Sequence, residues 1–419
     1  MIGLCRLRAI NLILAALLAV NAFGATRKHK RRHAAASTKT TKVVKRTRAP
    51  RRTTARRTHV AATTTHGVIH TRVRYSSRRH RKIYSPWTEP TFADSTVGDV
   101  TAGDDPVVRK AAVDALGPYN GSVVVVNPET GRILSVVNQK LALAGAYQPC
   151  STVKIMVSFA SLSEGLVDVN TPVHLSRRSS VTLTQAIARS NNAYFAKMGE
   201  ELGFDRVEHY AKLFGLGEKA GYEIPGEKAG TLAATTPSEG VGMMTSFGSG
   251  IRLTPLELAS IVSTVANGGT MYYLQYPQSK AQLEDFQPRI KRSLDIADLV
   301  PSVRPGMMGA VEYGTARRAN FNPDEPIFGK TGTCTDTVNP GVHLGWFGSF
   351  SQVGKSKVVV VVLLTGGRGV SGPVASGIAG QVYRNLATQN FVVQETEQTT
   401  APVGLIALPA LPTFAGTLP

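Results

Sequence analysis

The chain has 419 residues, 42% of them hydrophobic, and a formal net charge of +20. The excess charge belongs to the start of the chain, since residues 83–419 carry 26 basic and 28 acidic residues. The sequence contains no H-E-x-x-H, no P-loop and no C-x-x-C pattern, which excludes the usual zinc, nucleotide and dithiol signatures. Neither a cofactor nor a metal is expected.

The first 25 residues have the layout of a signal peptide or signal anchor. Arg6 and Arg8 precede an apolar run over 9–23, and small-residue triplets within 20–24 suit cleavage. The run is short for a membrane span, which favours a cleaved signal peptide over an anchor. We therefore expect export to the periplasm or to the outer face of the cytoplasmic membrane, although the basic residues of 27–32 oppose translocation.

Residues 26–96 are predicted to form a disordered basic linker. Residues 26–82 contain 20 Lys and Arg and no acidic residue, and the first acid in the chain is Glu89. Few side chains in this segment are available to build a core. We expect residues 26–82 to adhere to an anionic envelope surface of lipid, wall polymer or lipopolysaccharide. A solvated tether is the alternative, and nucleic-acid binding fits the composition but not a chain with an export signal.

The first candidate catalytic segment is Ser151-Thr152-Val153-Lys154. Residues 152–164 lack Gly and Pro, and Gly165 follows as a stop, which predicts a helix. Apolar residues on every face of this helix predict that it is buried. Ser151 lies at its N-terminus, where N–H groups favour an anion, and Lys154 is three residues further on the same face. A desolvated Lys154 is a candidate base for the Ser151 hydroxyl. The alternative is a serine N-cap with an unrelated lysine.

The middle of the chain is predicted to be helical. Ser190-Asn191-Asn192 separates two amphipathic stretches, 183–189 and 193–202, and is predicted to be a short connection between two helices. Taken alone, this tripeptide fits an N-cap better than a catalytic element. The segment 254–257 is a capping-box pattern with Pro at the first helical position, which predicts a helix over 256–266.

The last third of the folded region is predicted to be an antiparallel meander followed by a helix. The predicted strands are 326–334, 343–350 and 357–365, and the predicted helix is 374–386. On the first strand Lys330, Gly332 and Cys334 share one face and Thr331 and Thr333 the other. Gly332 in mid-strand indicates either close approach of a ligand or a bulge. Residues 389–419, rich in Pro and Ala, are predicted to be a disordered tail.

Three segments in the order S-x-x-K, S-x-N and K-T-G form the active-site signature of serine acyl-transfer enzymes that react with penicillin. In this chain they are 151–154, 190–192 and 330–332. With them, the chain resembles the penicillin-binding transpeptidase domain of bacterial cell-wall enzymes and, more distantly, the serine β-lactamases. Further resemblance lies in a hairpin at 121–138, a P-G-E pattern at 225–227, the run 246–269 and Gly314-Thr315-Ala316. The resemblance implies one domain at 97–388 of the α/β (α+β) class, with an antiparallel sheet flanked by helices plus an all-helical subdomain.

The resemblance also implies roles for the motif residues. It implies a D,D-transpeptidase that acylates a serine with D-alanyl-D-alanine stem peptides of peptidoglycan, and that reacts with β-lactams at the same serine. The expected catalytic residues are the nucleophile Ser151, its base Lys154, and the pair that passes a proton to the leaving amine, Ser190 and Lys330. The expected substrate-binding residues are Asn192, Thr331, Gly332 and Thr333. The N–H groups of Ser151 and Thr333 are expected to form the oxyanion hole.

The sequence does not determine whether an amine or water accepts the acyl group from Ser151. Transfer to an amine gives a cross-link, whereas transfer to water gives a D,D-carboxypeptidase or a serine β-lactamase. Glu227 is the only acid whose position resembles that of a deacylating base, and its usual role in the P-G-E pattern is structural. A non-catalytic penicillin sensor is the last alternative, against which the intact motif residues argue.

The chain has three cysteines, Cys5, Cys150 and Cys334. Cys5 belongs to the signal segment, which leaves Cys150 and Cys334 as a pair in an exported, oxidising setting. Cys150 precedes the nucleophile, and Cys334 lies on the strand face of Lys330. Some carbapenem-hydrolysing β-lactamases are similar in joining the corresponding positions by a disulfide, whereas most penicillin-binding transpeptidases have glycine before the serine. A Cys150–Cys334 disulfide is expected, with two neighbouring buried thiols as the alternative.

Overall fold

The computed structural model describes residues 85–389 and 391. The predictions for the signal segment, for linker residues 26–84 and for nearly all of the tail lie outside the described residues. The described part contains ten α-helices: α1 (Pro106–Leu116), α2 (Gln139–Ala144), α3 (Lys154–Ser163), α4 (Leu183–Ala188), α5 (Asn192–Leu213), α6 (Val241–Phe247), α7 (Pro255–Ala266), α8 (Lys280–Glu284), α9 (Val300–Glu312) and α10 (Gly372–Thr388). It contains eleven strands: β1 (Gly121–Val126), β2 (Ile133–Val137), β3 (Val173–Ser176), β4 (Ser179–Val181), β5 (Thr231–Leu232), β6 (Ile251–Arg252), β7 (Thr270–Tyr272), β8 (Ile290–Ser293), β9 (Phe328–Thr335), β10 (His343–Val353) and β11 (Ser356–Gly366).

Five of the strands form one antiparallel sheet in the order β2-β1-β11-β10-β9. The predicted meander is confirmed, because β9, β10 and β11 follow one another in sequence and in space. The strand β9 lies at the sheet edge, so the row of backbone groups that faces away from β10 has no strand partner. The remaining strands pair in twos, as β3–β4, β5–β6 and β7–β8.

The sheet is covered on both faces. Residues 358–364 of β11 are fully buried, which is why this strand is apolar without alternation. On one face, α1 and α10 pack on alternate residues such as Val360 and Val362. On the other face, the intervening residues such as Val361 and Leu363 share a core with α3, α5 and α7. The predicted fold class, an antiparallel sheet flanked by helices with a helical subdomain, is therefore confirmed.

Side-chain capping hydrogen bonds mark the starts of α7 and α5. Thr254 and Glu257 form the predicted capping box at the start of α7, where each side chain accepts from the backbone of the other residue. Asn191 caps α5 by accepting from Tyr194 N. The helix α5 contains a non-helical residue, Gly203, with φ 76° and ψ 166°, and the amphipathic stretch recognised in the sequence ends just before it.

The folded domain begins earlier than the predicted boundary at residue 97. Residues 85–96 were assigned to the disordered linker, but they pack on the domain. The Trp87 ring lies 5.5 Å from the His343 ring, and Ser95 Oγ donates to Tyr119 O and accepts from Gly121 N. These contacts come from single side chains and turns without periodicity, so no local sequence pattern predicts them. Within residues 85–389, no helix has both the length and the apolar character needed to cross a bilayer.

Candidate active site

The Ser151 segment begins as a 3₁₀ turn, Cys150–Val153, which continues directly into α3. The sequence predicted a regular helix from Thr152 with Ser151 at its N-terminus. In the structure Ser151 lies inside the 3₁₀ turn, because the Thr152 N–H and hydroxyl both donate to Pro149 O, at 3.2 and 2.7 Å. The helix α3 is buried as predicted, from Lys154 to Ser161. Ser151 is buried and keeps 8% of its surface exposed.

Lys154 joins the first motif to the second. Its Nζ lies 3.0 Å from Ser151 Oγ, 3.0 Å from both the carbonyl and the hydroxyl of Ser190, and 2.5 Å from Asn192 Oδ1. The side chain is fully buried. Burial disfavours the charged ammonium and lowers the pKa of Lys154 to about 7. A large fraction of this amine is therefore neutral near pH 7 and able to accept a proton from Ser151.

The backbone at Ser190 adopts a left-handed conformation, with φ 55°. This residue belongs to the connection between α4 and α5 that the sequence predicted. The left-handed turn directs both the carbonyl and the hydroxyl of Ser190 at Lys154. A non-glycine residue in this region of φ costs about 1–3 kcal/mol, and such residues concentrate at functional sites.

Lys330 lies on β9 and has no exposed surface. Its Nζ donates to the carbonyl of Thr331 at 2.9 Å. Burial, and then the charge of Lys154, hold the pKa of Lys330 well below its ordinary value. The sequence paired Ser190 with Lys330, but in the described part of the chain no hydrogen bond joins them, because Ser190 is held by Lys154. The two lysines form a pair of close amines that resist double protonation.

Gly332 is required by close packing of the first and third motifs. A Cβ atom at this position would lie 2.9 Å from Pro149 O and 3.2 Å from Thr152 Cγ2. The edge strand β9 therefore presses directly on the turn that carries Ser151. The approaching groups belong to the protein itself, so the approach of a ligand, one of the two explanations that the sequence left open, stays a prediction.

The two threonines of the third motif point away from Lys330, as strand alternation predicted. Thr331 Oγ1 lies 2.6 Å from Thr315 Oγ1, and Thr333 Oγ1 accepts from Gly372 N at 2.8 Å. Thr331 is buried and Thr333 is exposed. Sequence reasoning noted Thr315 only as part of a G-T-A run and did not connect it to Thr331.

Three ties connect the end of β9 and its neighbour β10 to the segment before Ser151. The Sγ atoms of Cys150 and Cys334 are 1.97 Å apart, with Cα atoms 5.7 Å apart. Asp336, which is fully buried, pairs with Arg252, and Arg252 in turn donates to Ala146 O at 2.5 Å. The indole N–H of Trp346, on β10, donates to Gln148 O at 3.0 Å. The last two ties were not recognised in the sequence, because their members are 84 to 198 residues apart.

Cys150 has a left-handed backbone, with φ 51°. Glycine is the residue that adopts this conformation without strain. The chain instead places a fully buried cysteine there, whose side chain faces Cys334.

Glu227 is buried in a loop and faces that loop's own backbone. Its Oε1 accepts from Ala220 N and Gly221 N, at 2.8 and 2.9 Å, and burial raises its pKa. None of these partners belongs to the three motifs. Among the residues that the structure describes, no group of three or more His, Cys, Asp or Glu is placed to hold a metal ion.

The fold and the meeting of the three motifs beside an edge strand define a class, the penicillin-interacting serine enzymes with a β-lactamase-like fold. Residues 121–387 match the family model of the penicillin binding protein transpeptidase domain, and the chain belongs to that family.

Solved structures with this fold include the following two. The chain resembles the transpeptidase domain of penicillin-binding protein 3 from Burkholderia pseudomallei with a TM-score of 0.58 and 21% identity, covering 69% of this chain and 96% of that one. It resembles PBPA from Mycobacterium tuberculosis with a TM-score of 0.57 and 24% identity, covering 68% and 81% of the two chains.

Curated relatives are similar at modest identity. Stage V sporulation protein D of Bacillus subtilis is 28% identical over 315 residues, which is 62% of this chain and 48% of that protein. The peptidoglycan D,D-transpeptidase PbpA of Mycolicibacterium smegmatis is 26% identical over 343 residues, which is 66% of this chain and 69% of that enzyme. The chain thus spans about half the length of the first relative and about two thirds of the second.

Proposed function

We propose that the protein is a peptidoglycan D,D-transpeptidase in which Ser151 is acylated by D-alanyl-D-alanine stem peptides. One observation carries this proposal: the buried amine of Lys154 lies 3.0 Å from the hydroxyls of both Ser151 and Ser190. A neutral amine between two hydroxyls is suited to take a proton from one and to return a proton through the other. Relatives named peptidoglycan D,D-transpeptidases, from mycobacteria and from Acinetobacter baumannii, support this substrate class.

In the proposed acylation, Ser151 Oγ forms a bond to the carbonyl carbon of the terminal D-alanyl-D-alanine amide, and its proton passes to Lys154 Nζ. The tetrahedral intermediate then collapses with cleavage of the C–N bond. The Ser190 hydroxyl donates a proton to the leaving D-alanine amine and regains one from Lys154. An amine of a second stem peptide attacks the resulting ester and forms the cross-linking C–N bond. The C–Oγ bond breaks, and the proton lost by the amine passes through Lys154 to Ser151 Oγ. β-Lactams acylate Ser151 by the same first step.

The remaining motif residues are proposed to bind the substrate. Because β9 is an edge strand pressed against the Ser151 turn, the N–H groups of Thr333 and Ser151 are suited to form the oxyanion hole. Thr331 and Thr333, which share one strand face, are proposed to hold the terminal carboxylate through their hydroxyls, and Lys330, on the other face, is proposed to attract it through its charge. The carboxylate's charge favours the ammonium form of Lys330, whose pKa is otherwise depressed. The amide nitrogen of Asn192 is proposed to donate to the substrate, because its oxygen is occupied by Lys154.

Time-resolved labelling with a fluorescent penicillin tests this function against its alternatives. A transpeptidase forms a persistent adduct, and with a stem peptide and an amine acceptor it gives a cross-linked product. A carboxypeptidase releases D-alanine without that product. Rapid loss of label with turnover of penicillin identifies a β-lactamase, for which Glu227 is a poor base because its carboxylate faces the backbone of residues 220 and 221. Absence of any adduct contradicts all of these enzymes.

We also propose that Cys150 and Cys334 form a disulfide in the exported protein. The Cα separation of 5.7 Å lies in the range that disulfides require. The bond would close a loop over a sequence separation of 184 residues, for which loop entropy gives a stabilisation of about 5 kcal/mol. We expect no alkylated cysteine by intact mass in the unreduced, denatured mature protein, and two after reduction. Thermal unfolding should occur at lower temperature after reduction. Two free thiols without reductant contradict the proposal.

A further proposal concerns residues 26–82 and the place where the enzyme acts. Peptidoglycan lies outside the cytoplasm, which agrees with the export signal predicted over residues 1–25. We place the domain at 85–388 instead of 97–388. We propose that residues 26–82 hold this domain near anionic envelope surfaces. A protein that begins at Ser85 is expected to keep its acylation rate with soluble penicillin but to lose salt-sensitive retention on anionic vesicles. The matched control replaces every Lys and Arg of 26–82 by Gln at constant length. Retention equal to that of the full chain in either variant contradicts adhesion.

A further inference from the structure

The bend after α9 contacts the end of α4, which leads into the second motif, through its backbone. A Cβ atom at Gly314 would lie 2.1 Å from the carbonyl oxygen of Ala188, so glycine is required at this position. The next residue, Thr315, donates its backbone N–H to the same carbonyl at 3.2 Å. Ala188 is the last residue of α4 and stands two residues before Ser190. The Gly314-Thr315 bend therefore fixes the end of α4, from which the Ser190 connection departs.

The side chain of Thr315 contacts the third motif. Its Oγ1 lies 2.6 Å from Thr331 Oγ1, on β9. Thr331 is only 4% exposed, and its carbonyl accepts from Lys330. Thr315 is itself held in place, because the next residue, Ala316, donates its N–H to Ala310 O at 2.7 Å. One residue thus contacts the end of α4, two residues before the second motif, with its backbone and the third motif with its hydroxyl.

We propose that Thr315 is a positioning residue that sets the hydroxyl of Thr331 for the carboxylate of the substrate. A hydroxyl has one proton to donate and two lone pairs to accept with. When Thr315 donates to Thr331 Oγ1, the proton of Thr331 stays free for the carboxylate and its rotamer is fixed. Without the Thr315 hydroxyl, Thr331 Oγ1 loses this partner in a buried setting and its proton is no longer directed. This inference rests on the proposed function, because it assumes that the Thr331 hydroxyl faces a carboxylate.

The test compares Thr315→Val, which removes the hydroxyl at nearly constant shape, with Thr315→Ser, which retains it. The measured quantity is the second-order rate constant of acylation by benzylpenicillin and by its methyl ester, which lacks the charged carboxylate. For Thr315→Val we expect a loss of about 10- to 100-fold with benzylpenicillin, the size typical of a hydrogen bond to a charged group. With the ester we expect less than a threefold change. Thr315→Ser should restore most of the rate with benzylpenicillin.

Equal losses with acid and ester would show that Thr315 acts on the whole site rather than on the carboxylate, which overturns the proposal. Unchanged rates with both substrates also overturn it. Thr331→Val and the double variant Thr315→Val/Thr331→Val give an independent check, which does not rely on the Thr315→Val protein alone being correctly folded. If Thr315 acts through Thr331, the double variant loses no more than Thr331→Val alone, and additive losses contradict the proposal. Absence of acylation in the unsubstituted protein would instead contradict the proposed function.

Discussion

Ser151→Ala is expected to abolish covalent labelling by penicillin while leaving thermal unfolding nearly unchanged. Among the described residues, the Ser151 hydroxyl is the one that both contacts the Lys154 amine and lies in the turn pressed against β9. Removing it deletes the proposed nucleophile. The structural cost is small, because Lys154 keeps three other acceptors and the second contact of the hydroxyl, to Ser246 O, is 3.4 Å long. A net loss of about 1 kcal/mol is typical for one hydrogen bond.

The matched control for this prediction is Ser161→Ala. Ser161 is buried on the same helix, α3, and donates to Val157 O at 2.8 Å, away from the motifs. Its removal tests the effect of losing a buried serine hydroxyl from α3, and labelling should continue at the native rate. Intact mass after incubation with penicillin measures both variants. An adduct on the Ser151→Ala protein would assign the acyl group to another residue.

The parts of the fold that were predicted correctly are those that local chemistry decides. The capping box of Thr254 and Glu257 places its own helix, and the β-branched strands of the meander pair with their sequence neighbours. The amphipathic stretch that ends at Leu202 stops where Gly203 breaks the helical geometry. In each case the residues that determine the structure lie within a few positions of one another.

The features that were predicted wrongly or missed depend on residues that lie far apart in the sequence. The 3₁₀ turn at Ser151 begins with a left-handed Cys150, whose side chain faces Cys334, 184 residues further along the sequence. The Asp336–Arg252 pair and the Thr315–Thr331 contact likewise join separate elements. Residues 85–96 were assigned to a linker because isolated aromatic and hydroxyl side chains and a few backbone groups anchor them, which composition does not reveal.

In the candidate site, too, the features set by local sequence were predicted and those set by contacts between separate elements were not. The spacing of Ser151 and Lys154 is helical and was visible in the sequence, as was the alternation that turns Thr331 and Thr333 away from Lys330. The partner of Ser190 was not visible. A left-handed φ at Ser190 turns its hydroxyl to Lys154, whereas Lys330 bonds to the carbonyl of Thr331. The motif order thus predicted the members of the candidate site, and the backbone conformation determines which lysine contacts which hydroxyl.

If Lys154 is the base, the acylation rate constant depends on pH. A base acts in its neutral form, and the pKa of Lys154, lowered to about 7 by burial, sets where that form appears. The acylation rate constant should rise about tenfold per pH unit well below pH 7 and level off above it. An ammonium with an ordinary lysine pKa would instead give a rate that still rises at pH 9. Stopped-flow acylation from pH 5 to pH 9 separates these profiles.

Lys154→Ala is expected to slow acylation by about 10²- to 10⁴-fold, the usual contribution of a positioned base, and to remove the rise centred near pH 7. The variant also leaves the Ser190 carbonyl and Asn192 Oδ1 without their lysine partner, so a lower unfolding temperature is expected and rates must be measured well below it. The matched control is Lys291→Ala, since Lys291 is a nearly buried lysine that pairs with Glu218 at 2.8 Å, outside the motifs. That control should retain the native rate and pH profile. A Lys154→Ala protein that is folded and acylates at near-native rate would show that Ser151 loses its proton to another group, and Lys330, the other buried amine of the site, would be the next residue to replace.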